Sequence, residues 1–295
     1  MDLLAPIKLL AKCAAILISE QTTSRSSQLI KQNNTVRQKS VFQKNETMKQ
    51  EDMLRSLLIY SFVFIATGCS TSDWRTASRE SAGLAPKASD LKESIFQIYT
   101  ARAFSWRGYF GIHPWLAWKR KSDANYTVAQ IVSWNLRRGL PALDIKEDLP
   151  DRHWYGNPPT IIFTAHGDDA DRIIAQLQTL LENYPYKNEY TLWPGPNSNT
   201  FVEHVIRSIP ELTVELPPHA IGKDFLVDDL LFAKSPSGSG IQFSIFGALG
   251  FTLGLAEGIE VNILGLTFGM DILRPALKLP AVGRVGMDDK PLPFK

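Results

Sequence analysis

Apolar side chains along this chain recur in two clear rhythms. Phe201, Val202, Val205, Ile206 and Ile209 fall at i, i+1, i+4, i+5 and i+8, one face of a 3.6-residue period, and Pro210 stops the run. Ile173, Ile174, Leu177, Leu180, Leu181 and Tyr184 share a face in the same way, after an Asp168-Asp169 start and before Pro185. Two main helices are predicted. Mixed β-branched and aromatic residues over 95–103 and alternation over 126–134 predict strands, as do short apolar runs at 108–119, 143–145 and 160–164. Pro114 marks the second of these as an edge or a bulge, because proline brings no N–H to a ladder. No helical period separates the early strands. The pattern therefore predicts an α+β domain with an antiparallel sheet over residues 91–232.

Beyond it, residues 235–256 carry no charge, so a membrane span has to be weighed. Serines and glycines interrupt the stretch, and Ile241, Phe243 and Ile245 alternate with Gln242 and Ser244, a strand period. With a turn at 257–260 and a second apolar strand at 261–270, the region 233–295 reads as a C-terminal β-hairpin followed by a proline-rich tail. This reading finds no internal repeat.

The N-terminal part has a different character. Residues 1–52 are an upstream extension or a disordered segment, rich in Ser, Gln, Asn and Lys after residue 20. At 53–69 a positive residue, an apolar run too short to span a bilayer, and the small residues Ala66-Thr67-Gly68 before Cys69 have the form of a lipoprotein signal peptide. Residues 70–90 read as a polar tether. Ile65-Ala66-Thr67-Gly68-Cys69 resembles the lipobox of bacterial lipoproteins. That resemblance implies lipidation at Cys69, a membrane partner through the lipid anchor, and a place in the bacterial cell envelope. Ser70 lacks the acidic side chain that retains such proteins at the inner membrane, which favours the outer one.

Composition narrows the chemistry. A net charge of +2 over 295 residues, without basic runs interleaved with aromatics, gives no basis for nucleic-acid binding. Cys13 and Cys69 are the only cysteines, so the body of the protein has no disulfide framework and no cysteine zinc site. His113, His153, His166, His204 and His219 lack metal-ligand spacing, and neither metal nor cofactor is expected. The stretch that invites chemistry is Trp193-Pro194-Gly195-Pro196-Asn197-Ser198, a rigid turn that delivers Ser198 to a helix N-terminus with free N–H groups. An N-cap at Ser198, or a capping box over Thr200 to Glu203, explains the same residues without any chemistry.

Asn197-Ser198-Asn199-Thr200-Phe201-Val202 resembles the Asn-Cys-x-x-Phe-Val motif of circularly permuted papain-like enzymes, the lecithin:retinol acyltransferase and cell-wall amidase type. In that superfamily a strand-borne histidine precedes the helix-starting nucleophile, and here His113 precedes Ser198. The resemblance implies a nucleophile at Ser198 and a base at His113, with an orienting polar group for which Gln130 is the candidate. Asn197 and the helix N–H groups would form an oxyanion hole. The substrate would be an envelope amide or ester. Serine stands where the family has cysteine, and a hydroxyl attacks only with a positioned base. Trp106-Arg107-Gly108, His113-x-Trp115, Trp154-Tyr155-Gly156, the Trp193–Phe201 stretch, Gly222-Lys223-Asp224 and Glu257-Gly258 together resemble an uncharacterised family of bacterial lipoproteins, a domain of unknown function, over about 91–286. Two functional readings stand side by side: a Ser/His acyl hydrolase or acyltransferase, and a catalytically silent papain-like domain binding envelope glycan, peptide or lipid. A purely structural envelope lipoprotein is the third.

Overall fold

The computed structural model describes residues 73–229 and 231–288. Cys69, the leader expected over 53–69 and the extension expected over 1–52 lie outside them. From residue 95 the chain forms β1 (Ile95–Arg102), a 3-10 turn (Ser105–Tyr109), β2 (Ile112–Lys119), β3 (Thr127–Ile131), a single-turn α1 (Ser133–Leu136), β4 (Leu143–Glu147) and β5 (Thr160–His166). The five strands make one antiparallel sheet in the order β4-β3-β2-β1-β5. Two longer helices follow, α2 (Gly167–Asn183) and α3 (Ser198–Ser208). Pro114 sits inside β2, in the part that β3 does not reach, since β3 pairs with 116–118 only.

Strand alternation sends side chains to two separate cores. Phe96, Ile98, Ile112, Leu116, Trp118, Ala129 and Ile131 face the helices, where Ile173, Ile174 and Leu177 of α2 and Phe201, Val202, Val205 and Ile206 of α3 cover them. Burying each such side chain contributes about 1.5–3 kcal/mol. The opposite face holds Tyr99, Ala101, Trp115, Ala117, Val128 and Val132 under Trp154, which comes from the loop between β4 and β5. The Tyr99 and Trp115 rings stack there with centroids 5.5 Å apart.

Part of the stretch expected to be a free tether is tied to the body. Asp151, fully buried, accepts the Leu84 N–H at 2.6 Å, the Ala85 N–H at 3.1 Å and the Ser81 hydroxyl at 2.8 Å. One buried carboxylate thus collects the donors of a turn that has no ladder to satisfy them.

The C-terminal β-hairpin is larger than expected and becomes a seven-stranded antiparallel meander. It comprises β6 (Phe232–Lys234), β7 (Ile241–Ile245), β8 (Leu249–Gly254), β9 (Gly258–Ile263), β10 (Leu266–Asp271), β11 (Ala276–Leu279) and β12 (Gly283–Gly286). The last two strands come from the expected proline-rich tail. Pro275 and Pro280 lie just outside β11, so neither removes a hydrogen bond from its ladder. Ile241-Gln-Phe-Ser-Ile-Phe-Gly, Ile259-Glu-Val-Asn-Ile-Leu-Gly and Leu277-Lys-Leu-Pro-Ala-Val-Gly recur at an eighteen-residue interval, a repeat of one strand-turn unit that the divergent polar positions conceal. Among the described residues no helix is long and apolar enough to cross a membrane, and the uncharged stretch forms β7 and β8.

Candidate functional site

The turn into α3 runs through cis Trp193-Pro194 and Gly195-Pro196 bonds to Asn197, the N-cap. Its Oδ1 accepts the N–H groups of Asn199 at 2.9 Å and Thr200 at 3.2 Å, and the Thr200 Oγ1 accepts the Asn197 N–H at 3.1 Å. The capping box therefore starts at Asn197, one residue before Ser198, and closes at Thr200. Asn197 Nδ2 donates to the carbonyls of Leu192 at 3.1 Å and Ile221 at 3.0 Å. Every polar atom of that side chain is thus engaged in holding the turn. Gly222 makes room for it: a Cβ there would lie 2.4 Å from Asn197 Nδ2, and its φ of +103° favours glycine as well.

Ser198 is the first residue of α3 and is buried. Its hydroxyl takes no part in the cap, whose bonds run through Asn197, Asn199 and Thr200. Asn199 Nδ2 donates to the Ile112 carbonyl at 3.3 Å and the Ile221 carbonyl at 2.8 Å, which docks the start of the helix on the backbone of β2, one residue from His113.

His113 and Gln130 meet. His113 Nε2 and Gln130 Oε1 are 3.1 Å apart, and both residues are buried. Gln130 Nε2 donates to Asp144 Oδ2 at 3.4 Å, and an ionised carboxylate only accepts. The amide oxygen therefore faces His113, whose Nε2 carries the proton and whose Nδ1 keeps the lone pair. Asn135 Nδ2, at 3.4 Å, and Lys146 Nζ, at 3.1 Å, hold Asp144 in turn. Burial lowers the His113 pKa to about 4 against a smaller upward pull from Gln130, so the ring is neutral over the physiological range.

The imidazole lies flat on Trp154, with centroids 3.6 Å apart and planes 10° apart. Trp115 and Trp134 complete this aromatic layer. Alternation explains the placement: Ile112 points to the helices, and His113, one residue on, points to the other face of the sheet. The β2 backbone therefore runs between α3 and the His113 ring. His113 and Gln130 come together, whereas the Ser198 helix belongs to the opposite layer.

Two features were not anticipated from the sequence. Gln130 and Asp144 are direct partners across the β3–β4 ladder, a relation that follows once the two strands are paired. The Trp154 stack comes from a loop with no periodic signal. Elsewhere, a cavity of about 380 Å³ is lined by His204 and Arg207 from farther along α3, with Phe225, Asp228, Lys234 and Ser235. Neither Ser198, His113 nor Gln130 lines it. His204 Nδ1 lies 3.2 Å from Asp228 Oδ2, and burial lowers the His204 pKa despite that carboxylate. Among the described residues no group of three His, Cys, Asp or Glu side chains is set to hold a metal ion.

No curated protein and no solved structure matches the chain. Residues 93–225, from just before β1 to the Gly222-Lys223-Asp224-Phe225 turn, match the family described as Protein of unknown function (DUF3750).

Proposed function

We propose that residues 91–232 form a catalytically silent papain-like domain of a cell-envelope lipoprotein, one that binds envelope glycan or peptide and does not hydrolyse it. The order of elements supports the papain-like part: strand-borne His113 and Gln130 precede the helix that starts at Ser198, and that helix packs on β2 and β3. The observation that carries the silent part is the His113–Gln130 pair lying on the face of the sheet opposite α3, stacked on Trp154. A serine needs a base in hydrogen-bond reach, and an imidazole lowered to about 4 is also a weak acceptor for a hydroxyl proton. Binding has a surface to use. Trp106, Tyr109 and Phe110 are exposed on the turn into β2, and Trp193 on the turn into α3. The two turns converge on Ile221, which neighbours both Gly111 and Gly265, the latter beside the Trp193 ring. Exposed aromatic rings present apolar faces with polar edges, the surface that stacks on sugar rings and peptide bonds.

The hydrolase reading keeps one observation in its favour, a buried serine at a helix N-terminus. A serine-directed phosphonate probe separates the two. The silent domain leaves the probe unreacted, and pelleting with purified peptidoglycan sacculi falls roughly tenfold in Trp106→Ala. Labelling that disappears in Ser198→Ala would overturn the proposal in favour of the acyl-enzyme reading.

A further inference from the structure

The seven-stranded sheet is inverted in polarity. Its inner face, turned to the body, carries Gln242, Ser244, Thr252, Glu260, Asn262, Thr267, Asp271 and Lys278, all buried. Its outer face is apolar in every cross-strand row. Phe232, Phe243, Phe251, Val261 and Phe268 form one row across β6 to β10. Leu253, Ile259, Met270, Leu277 and Val285 form another, which Ile241 opens beside Lys234, the one charged side chain on this face among the described residues. A sheet packed on a water-soluble core shows the reverse pattern, and apolar-out with polar-in is the pattern of strands that face lipid.

The apolar surface does not stop at the strands. Phe246, Leu264 and Val282, the residues before Gly247, Gly265 and Gly283 of the repeat, stand exposed at one end of the sheet, the first two 64% exposed. Phe246 and Leu264 hold left-handed φ angles of 49° and 54°, an unfavourable conformation for large side chains. Leu255, Ile272 and Leu273 are exposed at the other end. The exposed Trp193 ring sits beside the Leu264 tip, its indole N–H donating to the Leu264 carbonyl at 2.8 Å.

We infer that this outer face docks flat on a lipid bilayer, with both rows of turn side chains immersed beside it and Trp193 at the boundary. The strands have three to six residues, too few for the roughly 9–11 that span a bilayer, so the sheet lies on the membrane and does not cross it. A second copy stacked face to face fits less well. Stacking would leave the six turn side chains in water, whereas a bilayer surface covers face and ends together. A bilayer also suits a sheet whose outer surface carries Lys234 at one edge and is otherwise apolar along its rows. Trp193 is at home at such a boundary, where the ring enters the apolar phase and the N–H stays satisfied.

The test uses the full chain with Cys13→Ser and Cys69→Ser, which removes any acyl anchor, and vesicles of phosphatidylethanolamine and phosphatidylglycerol. The protein is expected to float with the vesicles, and about 1 M salt should leave the fraction bound unchanged, because the contact is apolar. Phe251→Ser and Phe268→Ser, both on the outer face, should each lower partitioning roughly tenfold or more. In the same background Leu264→Cys labelled with an environment-sensitive fluorophore should shift to the blue and be quenched by acyl-chain-brominated lipid, a readout that leaves the strand faces intact. Absence of flotation overturns the inference, as does flotation that both serine variants leave unchanged. A dimer in solution that Phe251→Ser dissociates, with no vesicle binding, assigns the face to a second copy and overturns it equally.

Discussion

Lys223 Nζ lies 2.7 Å from Glu260 Oε2, and this buried pair fastens the end of the family-matched stretch to the inner face of the C-terminal sheet. Glu260 also receives Lys278 Nζ at 2.6 Å, and Asp224 next to Lys223 accepts Gln242 Nε2 at 2.7 Å and Asn262 Nδ2 at 2.9 Å. Burial alone would discharge the Lys223 ammonium, but Asp224 and Glu260 outweigh it and its pKa is raised. Burial likewise pushes Glu260 up, and Lys223 and Lys278 outweigh it to hold the carboxyl at about 2. An inner face this polar stays folded because its charges are paired with one another.

Breaking the pairing should therefore be severe. Glu260→Gln removes the charge and leaves two buried ammonium groups short of a partner. The expected loss is about 3–5 kcal/mol, measured by urea unfolding. A loss under about 1 kcal/mol would mean that water reaches the pair.

The N-cap gives a sharper comparison. Asn197→Ala strands the N–H groups of Asn199 and Thr200 and frees the carbonyls of Leu192 and Ile221, so it should cost about 2 kcal/mol or more. Ser198→Ala removes a hydroxyl that takes no part in the cap and should stay within roughly 0.5 kcal/mol. Equal losses in thermal unfolding would contradict the assignment of the cap to Asn197.

Acid should destabilise the fold in two windows. His113 and His219 both drop from 6.5 to about 4, through burial first, with a smaller opposing pull from Gln130 on His113 and a further push down from Arg102 on His219. Between those values the unfolded chain binds the protons and the folded chain does not. The stability due to neutral burial is therefore complete above pH 6.5 and is lost as the pH falls toward 4. For His113 the loss is up to about 3 kcal/mol, and His113→Gln should flatten its share of the slope. Glu260 acts lower down: its contribution is complete above the unfolded value of 4.5 and disappears as the pH falls through about 2. Unfolding midpoints between pH 3 and pH 8 test the upper window (both limits are roughly set by the histidine values). A flat profile from 6.5 to 4 would show that the rings are hydrated.

Much of the family-matched stretch is legible in the sequence. The faces of α2 and α3 follow from spacing alone, because a 3.6-residue period leaves one apolar stripe and Pro185 and Pro210 end each run. The five strands of the first sheet appear near the predicted places. The adjacency of His113 and Gln130 was also within reach, since both sit on neighbouring strands of a meander. The extra C-terminal strands were missed because the prolines flanking β11 read as a tail, and because the eighteen-residue repeat keeps its apolar positions and varies the polar ones.

What local pattern left open was direction. Alternation says that Ile112 and His113 point to opposite faces, but not which face α3 covers, and that choice separates the imidazole from the Ser198 helix. In the same way Ile241, Phe243 and Ile245 alternate with Gln242 and Ser244 whether the apolar side is turned in or out. The outcome depended on Lys223 and Asp224, distant in sequence, whose buried charges draw Gln242, Glu260 and Asn262 inward, with Lys278 paired to Glu260, and leave the apolar side outside. Spacing is a property of neighbouring residues, whereas the side a face turns to is set by what folds against it.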